Sequence, residues 1–346
     1  MASNFTKSIS DDVVFFSYKD LSLLPSVKSL YVWDLDKTYL DTRFGNIKSL
    51  FKTAFEKSKD KSNVPGTKTL LQSLDDAGGG SAAIFFITAS PPQMEEKIFR
   101  KLRLDGIRPW GIFFKNNLKN IFPPNRWRLL AQHVGYKLQA LLHLHLLGES
   151  KILSQFLWGD DSEMDAVIYN LYSDICAHRL RGKDLEEVLK HFHVSAQRKS
   201  IMELQSKIIS ADPVKRIYIN LEEGTDVEYY QKFGSRVLPT YTSFQIALDC
   251  FQQDKINLEQ LINVGKDLMD NYLFSQEAAQ KSILDLVERQ VLDKKTYDKI
   301  ESSLKKFNLI DEFFEAEYST APVFVEEEQS EEYKKEIKID YFNDYR

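Results

Sequence analysis

The chain reads as an α/β protein built on a mainly parallel sheet. Two observations predict this. Short apolar runs, rich in β-branched and aromatic residues, alternate with stretches whose apolar residues recur at helical spacing. Strands alternating with helices argue for crossover connections and parallel pairing. A third observation locates the interest. Polar residues directly follow several of the apolar runs: Asp34 and Asp36, Thr88 and Ser90, and Asp160, Asp161 and Asp165. In parallel sheets, ligands bind at the carboxyl ends of the strands.

The elements follow in order. "SLYVWDL", from Ser29, is a short buried strand. "IKSLFKTAFEKS" (Ile47 to Ser58) has helical spacing. "SNVPGTKTLLQSLDDAGGG" gives a Pro-Gly turn, a short helix and a glycine-rich loop. "SAAIFFITAS" is a second buried strand ending in small hydroxyl residues. "PPQMEEKIFRKLRLDG" opens with prolines and continues as an amphipathic helix. "WGIFF" is a third strand. "RWRLLAQHVGYKLQALLHLHLLG" is helical, either continuous or broken into two pieces at Gly135. "SQFLWGDDSEMDAVIYNLYSDICAHRL" is a strand, an acidic turn and a helix, and "RIYINL" is a further strand. The expected core therefore spans residues 1–255, with a helical insertion around 181–213. From about Asn257 the pattern is helical, a C-terminal appendage over 256–320. Residues 321–346 form a highly charged tail that reads as solvated or partly disordered, with late aromatics able to dock.

Composition narrows the class. The 346 residues are 43% hydrophobic with 23 Phe, ample for a large core. A formal charge of −5 gives no support for a nucleic-acid footprint. Cys176 and Cys250 sit in apolar, helix-like surroundings without CxxC spacing, which predicts buried free thiols and fits a reducing compartment. The first residues lack the apolar core of a secretory signal. No apolar run approaches the roughly 20 residues that span a bilayer. A soluble cytoplasmic protein is expected, with peripheral membrane contact left open.

Carboxylates gathered at strand ends carry a cost. Crowded like charges raise one another's pKa unless a cation neutralises them. Hard oxygen ligands in a small acidic pocket suit Mg²⁺, which binds one or two carboxylates plus substrate phosphate. An aspartate can attack phosphorus, and a second carboxyl can protonate the leaving oxygen and then activate water. A hydroxyl and a lysine would hold the phosphoryl oxygens. Any one of these aspartates alone reads as a turn or a helix cap. Their succession on three strand ends carries the prediction.

The arrangement resembles the haloacid dehalogenase-like hydrolase superfamily. The DxDx[TV] motif stands here as "DLDKT", Asp34 to Thr38. "IFFITAS" matches the second motif with Thr88, and "FLWGDDSEMD" the fourth. The motif lysine before that strand is Lys137 in "GYKLQALLHL", with Lys151 in "GESKILSQF" as the competitor. Within the superfamily, "ITASPPQMEEKIFRKL", "GIRPWGIFFKNNLK" and "LWGDDSEMDAVIY" are similar to the App1-type phosphatidate phosphatases, over roughly Ser29 to Tyr169. The chain departs from that family's DxDDT at Lys37 and has GDD in place of GDS. The resemblance implies a Rossmann-like three-layer sandwich with a minimal cap. It implies a Mg²⁺-dependent phosphatase that hydrolyses phosphate esters through a phospho-aspartate. Asp34 would be nucleophile and metal ligand. Asp36 would be general acid/base, with its backbone carbonyl on the metal. Thr88 would bind phosphoryl oxygens with Ser90 beside it, and Lys137 would neutralise phosphate charge. Asp160 would be the third metal ligand, with Asp161 or Asp165 holding a metal-bound water. Thr38 would orient the Asp34 loop.

Little sequence lies between Thr42 and Pro65 for a cap, so the site is expected to be open. An open site suits bulky substrates, such as a lipid phosphate like phosphatidate or a phosphoprotein. The insertion from Arg181 to Pro213 and the C-terminal helices are candidate lids. Two rival readings stand beside this one: a non-catalytic binding or scaffold protein on the same fold, and a phosphatase acting on nucleic-acid ends. "HLH" (His143, His145) and "HFH" (His191, His193) have i,i+2 spacing, which does not put both rings on one helix face for zinc. "AGGGS" lacks the spacing and lysine of a phosphate-binding loop.

Overall fold

A computed structural model of the chain describes residues 5–41, 63–79, 81–116, 126–148, 153–162, 164–222, 224–318 and 339–343. The strands are β1 (Phe5–Ser8), β2 (Val13–Ser17), β3 (Ser29–Asp34), β4 (Ala82–Thr88), β5 (Gly111–Lys115), β6 (Ser154–Asp160), β7 (Val214–Asn220) and β8 (Val237–Thr240). They form an eight-stranded sheet in the order β1-β2-β5-β4-β3-β6-β7-β8. From β5 to β8 every neighbouring pair is parallel. The edge hairpin β1-β2 pairs antiparallel and joins the sheet through β5.

The helices are α1 (Thr67–Gly78), α2 (Glu95–Leu104), α3 (Arg126–Leu147), α4 (Asp165–Cys176), α5 (Gly182–His191), α6 (Arg198–Gln205), α7 (Ser243–Gln252), α8 (Leu258–Tyr272), α9 (Gln276–Glu288) and α10 (Lys294–Lys306). They cover both faces of the sheet, giving three layers. The period-2 alternation of β3 shows the division. Leu30 and Val32 point into a core shared with α3 to α6. Tyr31 and Trp33 point into a core shared with α1, α2 and α7 to α10. The helices after Asn257 thus contribute Leu261, Ile283 and Ile300 to a cluster that also holds residues of the central strands. Residues Ile339 and Tyr341 of the tail are buried in the opposite layer.

Of the two alternatives at Gly135, the helix is continuous from Arg126 to Leu147. Its glycine serves a close approach instead of a break: a Cβ there would stand 2.7 Å from Gln197 Oε1 and 3.1 Å from Val194 Cγ1. The β1-β2 hairpin and β8 were not expected: β1 (FTKS) and β8 (VLPT) are only four residues long, and the apolar run VVFF of β2 stands without a helical stretch beside it. The expected helix from Ile47 to Ser58, the competitor Lys151 and most of the charged tail lie outside the described residues. Both cysteines are buried and free, and burial pushes the Cys250 thiol up to about 12. No helix among the described residues is long and apolar enough to cross a membrane.

Chain order reverses at the centre of the sheet, since β4 lies on one side of β3 and β6 on the other. Such a switch point opens a crevice at the carboxyl ends. The register there is set by packing. Trp33 pairs opposite Trp158, and their rings stack 4.6 Å apart at 7°. An aromatic pair of this kind is worth about 0.5–1.5 kcal/mol beyond its buried area. A slip of one residue between the two strands would put the rings on opposite faces of the sheet. The stack therefore fixes Asp34 and Asp160 side by side at the crevice.

Candidate active site

Asp34 ends β3 and is 1% exposed. It continues the Leu30–Val32 side of the strand, which is the side that α3 and α4 cover. Lys137 of α3 and Asp165, the first residue of α4, meet it there. Lys137 Nζ lies 3.1 Å from Asp34 Oδ1 and 2.5 Å from Asp165 Oδ1, and all three side chains are essentially inaccessible to water. The adjacent Tyr136 hydroxyl donates to the carbonyls of Thr88 (2.7 Å) and Phe113 (2.8 Å), which anchors this turn of α3 to the ends of β4 and β5.

Asp160 ends β6. Its backbone N–H donates to Asp165 Oδ2 (3.2 Å), so α4 is tied to the strand that precedes it. Ser162 donates to Asp160 Oδ1 from its backbone N–H at 2.6 Å and also from its hydroxyl. This is a local turn of the kind Asp favours. Gly159 makes room for the arrangement, because a Cβ there would stand 2.4 Å from Asp165 Cβ and Oδ2. Carboxylate oxygens of Asp34, Asp160 and Asp165 lie within 4.8 Å of one another, close enough to share one metal ion. Their field reaches the tyrosines behind them. Burial, reinforced by the Asp34 charge, raises the Tyr136 phenol well above its ordinary value, and burial with the Asp165 charge does the same to Tyr169.

Asp36 stands two residues beyond Asp34, half-buried, with Thr88 Oγ1 donating to its Oδ2 at 3.2 Å. Thr88 is fully buried, and its hydroxyl also accepts from the Ser90 N–H at 3.1 Å. The loop after Asp34 is held by its backbone. Leu35 N–H donates to Ile87 O, Tyr39 and Leu40 N–H to Leu35 O, and Lys37 N–H to Leu40 O. Thr38 is buried, and its hydroxyl makes no hydrogen bond with the described residues, so it does not orient the loop in that way.

The Asp161 carboxylate lies outside the three-carboxylate cluster, as does that of Asp36, whose expected metal ligand is its backbone carbonyl. Asp161 Oδ2 instead accepts from Glu222 N–H (3.0 Å) and Thr225 Oγ1 (2.5 Å), so its side chain braces the loop after β7. The two acids point differently: Asp165, on the first turn of α4, reaches back to β6, while Asp161 reaches the loop after β7. Lys137, one of the two candidate lysines, pairs with both Asp34 and Asp165, while Lys151 lies outside the described residues.

Residues that sequence reasoning did not single out are Tyr136, Ser162, Asn220, Glu222 and Thr225. Only Ser162 had a local signal, the hydroxyl two residues after an aspartate. Lys37 pairs with Glu222 across the site at 3.1 Å, and Asn220 Nδ2 donates to the Lys37 carbonyl at 3.3 Å.

No family model matches this chain, and neither a curated protein nor a solved structure proved similar to it.

Proposed function

We propose that the chain is a Mg²⁺-dependent phosphomonoester hydrolase of the haloacid dehalogenase type, acting through a phospho-aspartate at Asp34. The observation that carries the reading is a charge imbalance. Among the described residues, the carboxylates of Asp34, Asp160 and Asp165 lie within 4.8 Å of one another, and the buried ammonium of Lys137 meets two of them, Asp34 and Asp165. Buried carboxylates either take up protons or collect cations. Asp34, Asp160 and Asp165 would hold the ion, and oxygen-only donors favour Mg²⁺. When bound, Mg²⁺ offsets the carboxylate charge and polarises the phosphoryl group.

The remaining steps use the chain's own groups. A carboxylate oxygen of Asp34 attacks phosphorus and the bond to the ester oxygen breaks. Asp36 gives its proton to that leaving oxygen. Asp36 then takes a proton from a water that attacks the phospho-aspartate, which releases phosphate and restores both carboxyl groups. Asp36 is half-buried, which leaves it reachable by leaving group and water. The Thr88 hydroxyl and the Lys137 ammonium offer donors for phosphoryl oxygens. The open site expected from the sequence would suit an ester on a bulky carrier, a lipid phosphate such as phosphatidate among them.

The test is phosphate release from an aryl phosphate with Mg²⁺. Wild type should turn over, Asp34→Asn should lose activity by at least about a thousandfold, and chelator should abolish it. Equal rates for wild type and Asp34→Asn would remove the mechanism.

A further inference from the structure

We propose that Lys37 recognises a second anionic group on the substrate, beside the phosphate being cleaved, and that the Glu222 carboxylate holds that place until substrate arrives. This rests on the phosphatase reading and narrows its substrate class to phosphate monoesters that carry another anion in the same molecule.

The first observation is the backbone. Lys37 has φ of 58°, in the left-handed region. Glycine adopts that conformation freely, and a residue with a Cβ does so against steric resistance. A strained non-glycine residue beside reactive groups points to a use for its side chain.

The second is position. Lys37 follows β3 and Glu222 follows β7, and these strands flank β6. Neighbouring strands lie about 4.8 Å apart, so the pair spans two strand spacings. It therefore passes over the end of β6, where Asp160 and Asp161 stand. Both ends of this strap are fixed by backbone contacts: Glu222 N–H on Asp161 Oδ2, and the Lys37 carbonyl on Asn220 Nδ2.

The third is exposure. The Lys37 and Glu222 side chains are 33% and 49% accessible, and they meet at 3.1 Å. An ion pair this exposed is held weakly and exchanges partners readily. Lys137, by contrast, is sealed between Asp34 and Asp165. The site thus presents two ammonium groups with separate jobs, one committed to the reacting centre and one displaceable at its rim. Glu222 marks where an anion sits when it engages Lys37. A carboxylate or second phosphate on the substrate would take that place, and Glu222 would swing into solvent.

The experiment compares two non-hydrolysable probes in calorimetry with Mg²⁺ present: methylphosphonate, and phosphonoacetate, which adds a carboxylate. Wild type should bind phosphonoacetate about twofold more tightly, below the roughly fivefold upper range for one exposed ion pair because the Glu222 pair is given up. In Lys37→Gly, which relieves the backbone, that ratio should fall to about one. In Glu222→Gln, which removes the competing carboxylate and keeps the backbone N–H, it should rise above wild type. A purely structural clamp would lose the same pair in both variants and shift the ratio the same way. Shifts in the same direction, or a ratio near one in wild type, would overturn this proposal alone. Failure of wild type to bind either phosphonate would overturn the phosphatase reading and this proposal with it.

Discussion

Replacing Lys137 by Met removes the ammonium while keeping most of the side-chain volume, so little cavity is opened. Its Nζ lies 2.5 Å from Asp165 Oδ1 and 3.1 Å from Asp34 Oδ1, with all three side chains at most 1% exposed. At an effective dielectric of about 20, separations of this size correspond to roughly 5–7 kcal/mol of attraction each. Against that stands a desolvation cost of several kcal/mol for each buried ion. The net cost of removing one member of such a group is about 3–5 kcal/mol. The assay is urea unfolding followed by tryptophan fluorescence, because Trp33 and Trp158 are buried next to the site. The loss should be largest with chelator and smaller at saturating Mg²⁺, which supplies positive charge to the same carboxylates. It should also shrink in an Asp165→Asn background, since the two side chains share one interaction. A loss below about 1 kcal/mol in chelator, the range of an exposed pair, would refute the charge-imbalance reasoning.

Two further outcomes follow from packing and from titration. Gly159→Ala places a methyl 2.4 Å from Asp165 Cβ and Oδ2. The overpacking should cost about 1–3 kcal/mol and displace Asp165, so the rise in Tm on adding Mg²⁺ should be smaller than in wild type; an unchanged rise would show that the carboxylate does not serve the ion. Asp212 is partly buried, which raises its pKa, but hydrogen bonds from Arg179, Ser173 and the Val214 N–H and the charge of Arg236 outweigh this and hold it below the usual carboxylate value. Its stabilisation is therefore fully present above the ordinary aspartate pKa of about 3.9 and is lost as pH falls through its lower folded value. The Tm difference between wild type and Asp212→Asn should be constant above about pH 4 and narrow below it; a difference that does not narrow down to the acid limit would contradict the linkage.

The layers and the polar strand ends follow from local sequence alone. Continuous apolar runs such as "LYVW" and "IFFI" have no alternation, and only a strand covered on both faces can bury them. Helical spacing likewise announced the region of α8 to α10, from about Asn257 onward. Asp34, Thr88 and Asp160 were legible because each ends such a run, and strand ends converge in a parallel sheet. What local sequence does not encode is direction and long-range partnership. Asp161 and Asp165 are both acids after one strand, and only the path of the turn into α4 sends Asp165 to Lys137 and Asp161 to Glu222 and Thr225. Gly135 looks like a helix breaker, and only the approach of Gln197, some sixty positions later, explains it as a packing contact. Lys37 had no account within its own stretch, because its partner comes from the far side of β6, brought near by sheet order. Periodicity reports which face of an element is apolar. Which faces meet, and which charged groups meet with them, is settled only when the sheet order has closed.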